Sequence, residues 1–131
     1  MTGLVIKSPW VDLILEGKKT WELRGSATKL RGRIALIKSK SGTIVGECGI
    51  HDCLGPFTIE QLRQTYERHQ VPDGRLEQIA YGRTYAWVVG TARAFDPPIR
   101  YKHPSGAVIW VRLTPENCPE YGRLGLEESK S

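Results

Sequence analysis

The stretch that decides the fold is Gly17-Lys18-Lys19-Thr20-Trp21-Glu22-Leu23-Arg24. From Lys19 onward, polar and apolar side chains alternate, which is typical of a strand with one buried face. Trp21 and Leu23 form the apolar face, which we expect to pack in the core. The polar face carries the side chains of Thr20, Glu22 and Arg24.

Three charged groups of this stretch form the first candidate site. Glu22 and Arg24 lie two residues apart on one face of the strand, so they can pair or converge on one ligand. Lys19 and Glu22 are three positions apart, and this odd spacing places Lys19 on the opposite face of a regular strand. We therefore expect Lys19 in the turn after Gly17, where its side chain can swing toward the pair.

The segments around this strand predict a mixed fold. Residues 4–6 form a short apolar strand, and Ser8-Pro9 is typical of a helix start. Gly17 is placed to end that helix in a left-handed turn. After a polar connection, residues 34–38 and 43–50 are two strands joined by the turn Ser41-Gly42, which predicts a hairpin.

The second half adds helices and two further strands. Thr58 and Gln61 form a capping box, and Ile59, Leu62 and Tyr66 share one stripe of the helix that follows. Asp73 caps a short helix through residue 80. Residues 84–93 predict a long buried strand ended by Asp96-Pro97-Pro98, and residues 107–113 a last strand. The fold class is thus α+β: a small curved sheet or β-barrel of about six strands, with two or three helices packed on it.

Composition limits the class of protein. The 131 residues suit one domain, and 40% hydrophobic with 25% charged residues is ordinary for a globular chain. No apolar run approaches the roughly 18 residues that span a bilayer, and the first residues lack a signal-peptide pattern. Cys48, Cys53 and Cys118 show no disulfide spacing. We expect a soluble, cytoplasmic monomer with reduced thiols and no membrane partner.

The positive charge is concentrated in one segment. The whole chain carries a formal net charge of +5, whereas residues 17–40 contain eight basic side chains and one acidic one, a net charge of +7. Such an excess is typical of a surface that binds a polyanion or an anionic substrate. The alternative is a solvated pair of strands with no ligand.

These residues also carry a family resemblance. The octet has the spacing G-x-K-x-x-E-x-R and resembles the ASCH domain family, whose fold is similar to the RNA-binding PUA domains. The segments 8–10, 29–34 and 101–110 look like the family as well. The resemblance covers roughly residues 3–113, so we expect a PUA-like domain over residues 1–114. Residues 115–131 are a weakly acidic tail that we expect to be loosely ordered.

The resemblance implies a cleft lined by the motif's Lys, Glu and Arg, in which RNA or a modified nucleotide binds. Some members are enzymes: one acts as a ribonuclease on single-stranded RNA, and one small branch removes acyl groups from the exocyclic amine of cytidine. That branch has a threonine, proposed as the nucleophile, three residues after the motif lysine. This chain has Glu22 there, which weakens the amidohydrolase alternative, although Thr20 still offers a hydroxyl.

A ribonuclease, with or without a metal, needs cations for the phosphate and groups that transfer protons. Lys19, Arg24 and Lys29 can contact the phosphate, while Glu22, Tyr85 or His103 can transfer protons and Ser105 can position an oxygen. A binding module needs only contacts. The residues we assign to binding are Lys18, Lys29, Arg31, Arg33, His103 and Trp10.

Each assignment has a structural alternative. Lys19, Glu22 and Arg24 can be an ion-pair network that braces a strand, Trp10 and Tyr85 can be core residues, and His69 can complement a helix dipole. A basic face can also bind an acidic protein. Cys48, His51 and Cys53 suggest zinc only weakly, since Cys48 and His51 face opposite ways on a strand. We predict no metal and no cofactor.

Overall fold

A computed structural model describes residues 1–79 and 83–125 of the chain. Its elements are β1 (Thr2–Ile6), α1 (Trp10–Leu15), β2 (Trp21–Arg24), β3 (Gly32–Lys38), β4 (Thr43–Phe57), α2 (Ile59–Arg63), α3 (Tyr66–His69), α4 (Asp73–Ile79), β5 (Thr84–Arg100) and β6 (Trp110–Arg112), with a 3-10 helix at Tyr121–Arg123. The α+β class is confirmed, with four short α-helices in the described part where we expected two or three. The predicted helix end at Ala80 and residues 126–131 of the predicted tail lie outside the described residues.

The six strands form one sheet in the order β2-β5-β4-β3-β1-β6. β1 pairs with β3 in parallel, and every other pair is antiparallel, including the predicted β3–β4 hairpin. The parallel pair places the carboxyl ends of β1 and β3 side by side, where the ladder continues from Ser39 N to Ile6 O at 3.0 Å.

The sheet curls without closing, so the barrel is an open one. Within the described residues, no backbone hydrogen bond joins the edge strands β2 and β6. Side chains bridge this gap, which we call the seam. Arg24 of β2 donates from Nη2 to the Val5 carbonyl of β1 at 3.1 Å, and Trp87 of β5 stacks on Trp110 of β6 with ring centroids 5.5 Å apart.

Both faces of the sheet are buried. Ile34 and Leu36 of β3 belong to the core cluster that includes Val11 and Ile14 of α1, whereas the intervening Ala35 belongs to a second cluster on the other face. A third cluster places Trp21 and Leu23 of β2, together with Ala86 of β5, against the helices, through Leu62 of α2 and Leu76 of α4. The apolar face of β2 is therefore core, as predicted. Of the helices in residues 1–79 and 83–125, none combines the length and apolarity needed to cross a bilayer.

The β5 boundary was predicted wrongly. Asp96-Pro97-Pro98 does not end the strand, because the ladder resumes beyond it with Ile99 opposite Ile44. Between the pairs Gly46–Ala94 and Ile44–Ile99 the register shifts, so residues 95–98 form a bulge. A bulge has no ladder position that needs the N–H that proline lacks.

Three other boundaries also differ from the prediction, the first being that β4 continues to Phe57 where residues 43–50 were predicted. The helix after the confirmed Thr58–Gln61 capping box is interrupted at Thr65. The Thr65 hydroxyl donates to the carbonyls of Gln61 and Leu62, and such bonds to the preceding turn disturb a helix. Tyr66 consequently lies 47% exposed at the start of α3 instead of on a buried stripe. The last strand is limited to β6, Trp110–Arg112, whereas residues 107–113 were predicted.

The described part of the predicted loose tail is packed against the sheet. Cys118 is buried, and Tyr121 and Leu124 pack on the same core cluster. The Tyr121 hydroxyl accepts a hydrogen bond from the amino terminus of Met1 at 2.9 Å. The domain boundary after residue 114 stays a prediction.

Candidate functional site

A cavity of about 450 Å³ opens at the seam, and we call it the seam cavity. Its lining comes from both sides of the seam: Val5, Lys7, Trp10, Lys19, Glu22, Leu23, Arg24, Ser39, Lys40, Val71, Arg75, Val108 and Ile109. The volume lies within the range of about 300–1,000 Å³ found for pockets that hold small molecules. The failure of the sheet to close thus leaves room for a ligand between β2 on one side and β1 and β6 on the other.

Lys19 forms part of the cavity floor. Gly17, with φ +79°, ends α1 in the left-handed turn that the sequence predicts. The backbone N–H groups of Lys18 and Lys19 then both donate to the Leu13 carbonyl, at 3.0 and 3.1 Å. Because β2 begins only at Trp21, Lys19 is free of strand alternation and reaches the side of Glu22, as expected.

The Lys19 ammonium group is almost fully buried and has fixed neighbours. Nζ donates to the His69 carbonyl at 2.6 Å, lies 3.8 Å from Glu22 Oε1 and is 5.2 Å from the centre of the Trp10 ring. Burial lowers the pKa of Lys19 from 10.5 to about 8, the negative charge of Glu22 opposes this shift, and the charge of Arg24 adds to it. The charge of this lysine therefore changes in the range just above neutral pH.

Glu22 and Arg24 lie side by side on β2, as the spacing predicts. Glu22 Oε2 accepts from Arg24 Nε at 2.9 Å and lies 2.9 Å from Arg24 Nη2. The guanidinium group also lies 5.5 Å from the centre of the Trp87 ring. No residue in the described ranges accepts a hydrogen bond from Arg24 Nη1, and the side chain is 17% exposed. Arg24 thus links the two sides of the seam and also keeps a donor that a ligand can reach.

His69 holds the carbonyl that Lys19 contacts. Its Nδ1 accepts from the Val71 N–H at 2.9 Å, so the proton is on Nε2, which donates to the Leu62 carbonyl at 2.6 Å. Burial lowers the pKa of His69, which favours this neutral form. The predicted role of a charge complement to a helix dipole is wrong, because the ring is fully buried. His69 instead positions Lys19 through its backbone.

Three further cations line the seam cavity, and none of them was predicted from the sequence to belong to the site. Lys7 follows β1 and Lys40 follows β3, so the parallel pairing of these strands brings the two lysines together. Arg75 comes from α4 on the opposite side. In the sequence, the sign of these two lysines is a basic residue just after each of two apolar strands. Only the parallel pairing of β1 and β3 shows that the carboxyl ends of the two strands lie side by side.

The cavity also has an apolar and aromatic part. Trp10 of α1 contributes its ring, and Val5 and Val71 contribute aliphatic side chains. At the rim, Val108 is 76% and Ile109 45% exposed, in the segment between the turn at residues 104–106 and β6. Cations combined with apolar surface fit a ligand that has both an anionic group and a flat or apolar part.

Comparison with known proteins assigns the chain to a family. The family model of the ASCH domain matches residues 4–99, about three quarters of the chain. The chain belongs to the ASCH domain family. The match includes Lys19, Glu22 and Arg24, whereas the rim residues Val108 and Ile109 lie beyond it.

Solved structures of an ASCH protein from Zymomonas mobilis are similar to this ASCH domain. A tyrosine-to-phenylalanine variant has a TM-score of 0.71 at 15% identity, covering 94% of this chain and 96% of that one. A serine-to-alanine variant has a TM-score of 0.67 at 16% identity (88% and 89% covered), and the unsubstituted protein 0.64 at 15% (88% and 88%). At this identity the likeness is one of fold. No curated protein matches the chain.

Four candidate catalytic or binding residues lie outside the seam cavity of this ASCH domain: Thr20, Tyr85, Ser105 and His103. Thr20 precedes β2 and is held by its backbone, which bonds to Arg68 and Val89. Tyr85 packs on the main core cluster, opposite Arg24 in the β2–β5 register. Neither Thr20 nor Tyr85 therefore lines the cavity that holds Lys19.

Ser105 and His103 lie in the segment that follows β5. His103 is fixed within it, since Nδ1 bonds to the Tyr101 hydroxyl at 2.7 Å and Nε2 to the Ala107 carbonyl at 2.6 Å. Ser105 is exposed in the turn that the sequence predicts. The segment reaches the seam cavity through Val108 and Ile109 instead.

The four predicted phosphate contacts outside the motif also lie away from the cavity lining. Lys18 is 3.9 Å from Glu16, and Arg31 is 3.7 Å from Asp52, both at the surface. Lys29 is exposed. Arg33 lies 3.1 Å from the wholly buried Glu47. Only Trp10 among the residues assigned to binding lines the cavity, together with the motif residues Lys19, Glu22 and Arg24.

No metal site is evident in the described ranges. No three His, Cys, Asp or Glu side chains in residues 1–79 and 83–125 are grouped to hold an ion. Cys48 is buried while His51 is exposed, as their odd spacing on β4 predicts. Burial raises the pKa of the Cys48 thiol to about 12, so it stays protonated and is a poor ligand.

Proposed function

We propose that this ASCH domain binds single-stranded RNA, with one nucleotide unit held in the seam cavity. The observation that carries the proposal is the charge of the lining: of the described residues that line the cavity, five are cationic and one is acidic. Glu22 already neutralises part of Lys19 and Arg24, so a net positive charge is left for a ligand. A phosphate supplies the opposite charge, and Lys7, Lys40 and Arg75 are the cations that have no acid beside them in the lining.

The apolar part of the cavity supports a nucleotide over a simple anion. Trp10 offers an aromatic ring, and Val108 and Ile109 offer exposed aliphatic surface at the rim. Bases stack on aromatic side chains with roughly 1–3 kcal/mol each, without strong dependence on sequence. A phosphate on the cations and a base on this surface use both halves of the lining.

Binding has more support than hydrolysis. Two of the three groups predicted to move protons for RNA cleavage, Tyr85 and His103, do not line the cavity, nor does the Thr20 hydroxyl that an amidohydrolase could use. Glu22 Oε2 is occupied by Arg24, and Lys19 Nζ by a carbonyl. Cleavage of a labelled RNA, or release of an acyl group from a modified cytidine, that is lost in Lys19→Ala would extend the proposal to catalysis.

Salt-dependent titration with matched double variants tests the proposal. A fluorescently labelled single-stranded RNA should bind clearly more weakly at about 200 mM than at about 50 mM salt. Each phosphate contact contributes about 0.7 to the slope of log affinity against log salt for single strands. Lys7→Ala with Lys40→Ala should therefore reduce the slope by about 1.4.

The control removes the same charge from outside the cavity. Lys18→Ala with Lys29→Ala also deletes two exposed lysines, and it should leave the slope nearly unchanged. Equal weakening by both double variants would contradict a role for the cavity. Absence of RNA binding at low salt would reject the function and favour the protein-interaction alternative, which nuclease-treated pull-downs can detect.

A further inference from the structure

We propose that a second cavity beside the seam cavity binds the neighbouring nucleotide of the same RNA strand, an inference that rests on the proposed function. This second cavity has a volume of about 300 Å³. Its lining consists of Arg24, Gly25, Ser26, Ala27, Thr28, Trp87, Ile109 and Trp110. The site therefore takes at least two linked nucleotides across the seam.

The two cavities are adjacent and share part of their lining. Arg24 and Ile109 line both of them, one from β2 and the other from the segment before β6. A ligand that leaves the seam cavity along the seam passes these two side chains and enters the second cavity. Such a pair of adjoining sites fits a chain of repeated units better than it fits one compact molecule.

Arg24 is placed to hold the link between the two units. Its Nε and Nη2 are engaged by Glu22 and by the Val5 carbonyl. Its Nη1 has two N–H bonds and no acceptor among the described residues. A phosphodiester between two nucleosides has free oxygens that accept such bonds, and arginine is well suited to phosphate.

The charge of the second cavity indicates which part of a nucleotide it takes. Among the described residues, Arg24 is the one charged residue in the lining of the second cavity, whereas five cations line the seam cavity. The remaining lining is a tryptophan pair, an isoleucine and a loop of small residues. This environment suits an uncharged base and ribose, with the phosphate left at Arg24.

The tryptophan wall is rigid. Trp87 donates from its indole N–H to the Ser26 carbonyl at 2.9 Å, which ties the loop at residues 25–28 to β5. Trp110 stacks on Trp87 with an angle of 11° between the rings. Trp87 is only 3% exposed, so the half-buried Trp110 is the ring that can stack on a base, with little loss of side-chain freedom.

A comparison of one-unit and two-unit ligands tests the inference. The probes are adenosine 5′-monophosphate and the 5′-phosphorylated adenosine dinucleotide, titrated by calorimetry. Base–aromatic stacking changes affinity by roughly 5- to 150-fold per base. We expect the dinucleotide to bind at least about fivefold more tightly than the mononucleotide.

Variants of the second cavity test whether the extra affinity of the dinucleotide arises there. Ala27 is exposed in the loop, so Ala27→Glu fills the second cavity and repels phosphate without disturbing the core. It should remove most of the dinucleotide's advantage and leave mononucleotide affinity unchanged. Ser105→Glu makes the same charge change at an exposed turn outside both cavities and should change neither ligand's affinity.

Each outcome decides a separate point. If the mononucleotide binds and the dinucleotide gains nothing, the second site is rejected while the proposed function stands. If the gain survives in Ala27→Glu as it does in Ser105→Glu, the second unit binds elsewhere and the inference is wrong. If neither ligand binds the wild-type protein, the proposed function fails and the second site with it.

Discussion

Two buried glutamates in this protein each lie between two cations, but their surroundings differ. Glu22 lies between Lys19 and Arg24 at the floor of the seam cavity. Glu47 lies between Arg33 and Arg93, each 3.1 Å from its Oε1. By composition alone, the two clusters look alike.

The Glu47 cluster is closed. Glu47 is wholly buried, and its second oxygen accepts from the backbone N–H of Gly125 at 3.1 Å, so the segment after β6 covers it. Neither the seam cavity nor the second cavity is lined by any residue of this cluster. At the Glu22 cluster, by contrast, Arg24 keeps an unused donor beside a cavity. A buried acid with two cations thus indicates a ligand site only where a cavity meets donors that the protein itself does not use.

The largest expected effect is on stability, at the closed cluster. Glu47→Gln removes the buried negative charge that Arg33 and Arg93 both contact, and breaking a buried ion pair costs about 3–5 kcal/mol. Because both arginines are partly exposed, we expect about 3 kcal/mol of unfolding free energy to be lost, measured by urea denaturation. RNA affinity should stay within about twofold of wild type, because no residue of this cluster lines either cavity. A large loss of affinity in a still-stable variant would show that the two clusters are not distinct.

The second largest expected effect comes from replacing one arginine of each cluster by lysine. Arg24→Lys keeps the charge and loses both the bond to the Val5 carbonyl and the free Nη1. We expect RNA affinity to fall about 30-fold, which is roughly 2 kcal/mol, since lysine cannot reproduce a planar donor set. Arg33→Lys is the matched control, and it should reduce unfolding free energy by about 1 kcal/mol without changing affinity. The comparison fails if the control weakens binding as much as Arg24→Lys does.

The sequence predicts the local parts of the open cluster well. The alternation along β2 places Glu22 and Arg24 on one face, and Gly17 frees Lys19 to join them. The capping box at Thr58 and the β3–β4 hairpin are also confirmed, because each depends on residues close in sequence. Residues that are close in sequence therefore suffice to predict the strand β2, the turn at Gly17 and the arrangement of the motif residues.

Contacts between distant residues decide the rest. Of the +7 segment, Arg33 is neutralised by Glu47 and Arg31 faces Asp52, whereas Lys40 joins Lys7 in the cavity. These pairings depend on the register of β3 with β4 and on its parallel pairing with β1, and no local pattern encodes either. Counting charges along the chain therefore located a basic region but not which of its cations stay available to a ligand.

A pH titration distinguishes the clusters by their ionisable cation. The Glu47 cluster contains only arginines, which remain charged, while Lys19 has a pKa lowered to about 8 by burial. Lys19 is charged below that pH and neutral above it, so affinity for a phosphodiester should fall as pH rises from 7 to 9, by about tenfold. An adenosine dinucleotide without a 5′-phosphate suits the measurement, because neither its phosphodiester nor its bases titrate in this range. An affinity that stays constant from pH 7 to 9 would mean that the ligand does not sense Lys19.

The smallest expected change is a shift in the midpoint of that titration. Glu22 opposes the lowering of the Lys19 pKa, so Glu22→Gln removes the one neighbouring charge that favours the ammonium form. The midpoint should move below 8, by about one pH unit, since an opposite charge at this distance shifts a pKa by about that much. Near neutral pH the variant loses a negative charge from Glu22 and much of the positive charge of Lys19, so its affinity there should resemble that of wild type. Glu47→Gln is the control, and it should leave the midpoint of the pH titration unchanged. A shift of the midpoint in both variants would mean that the titrating group is not Lys19 and that the charge of the seam cavity is not set by Glu22 and Lys19.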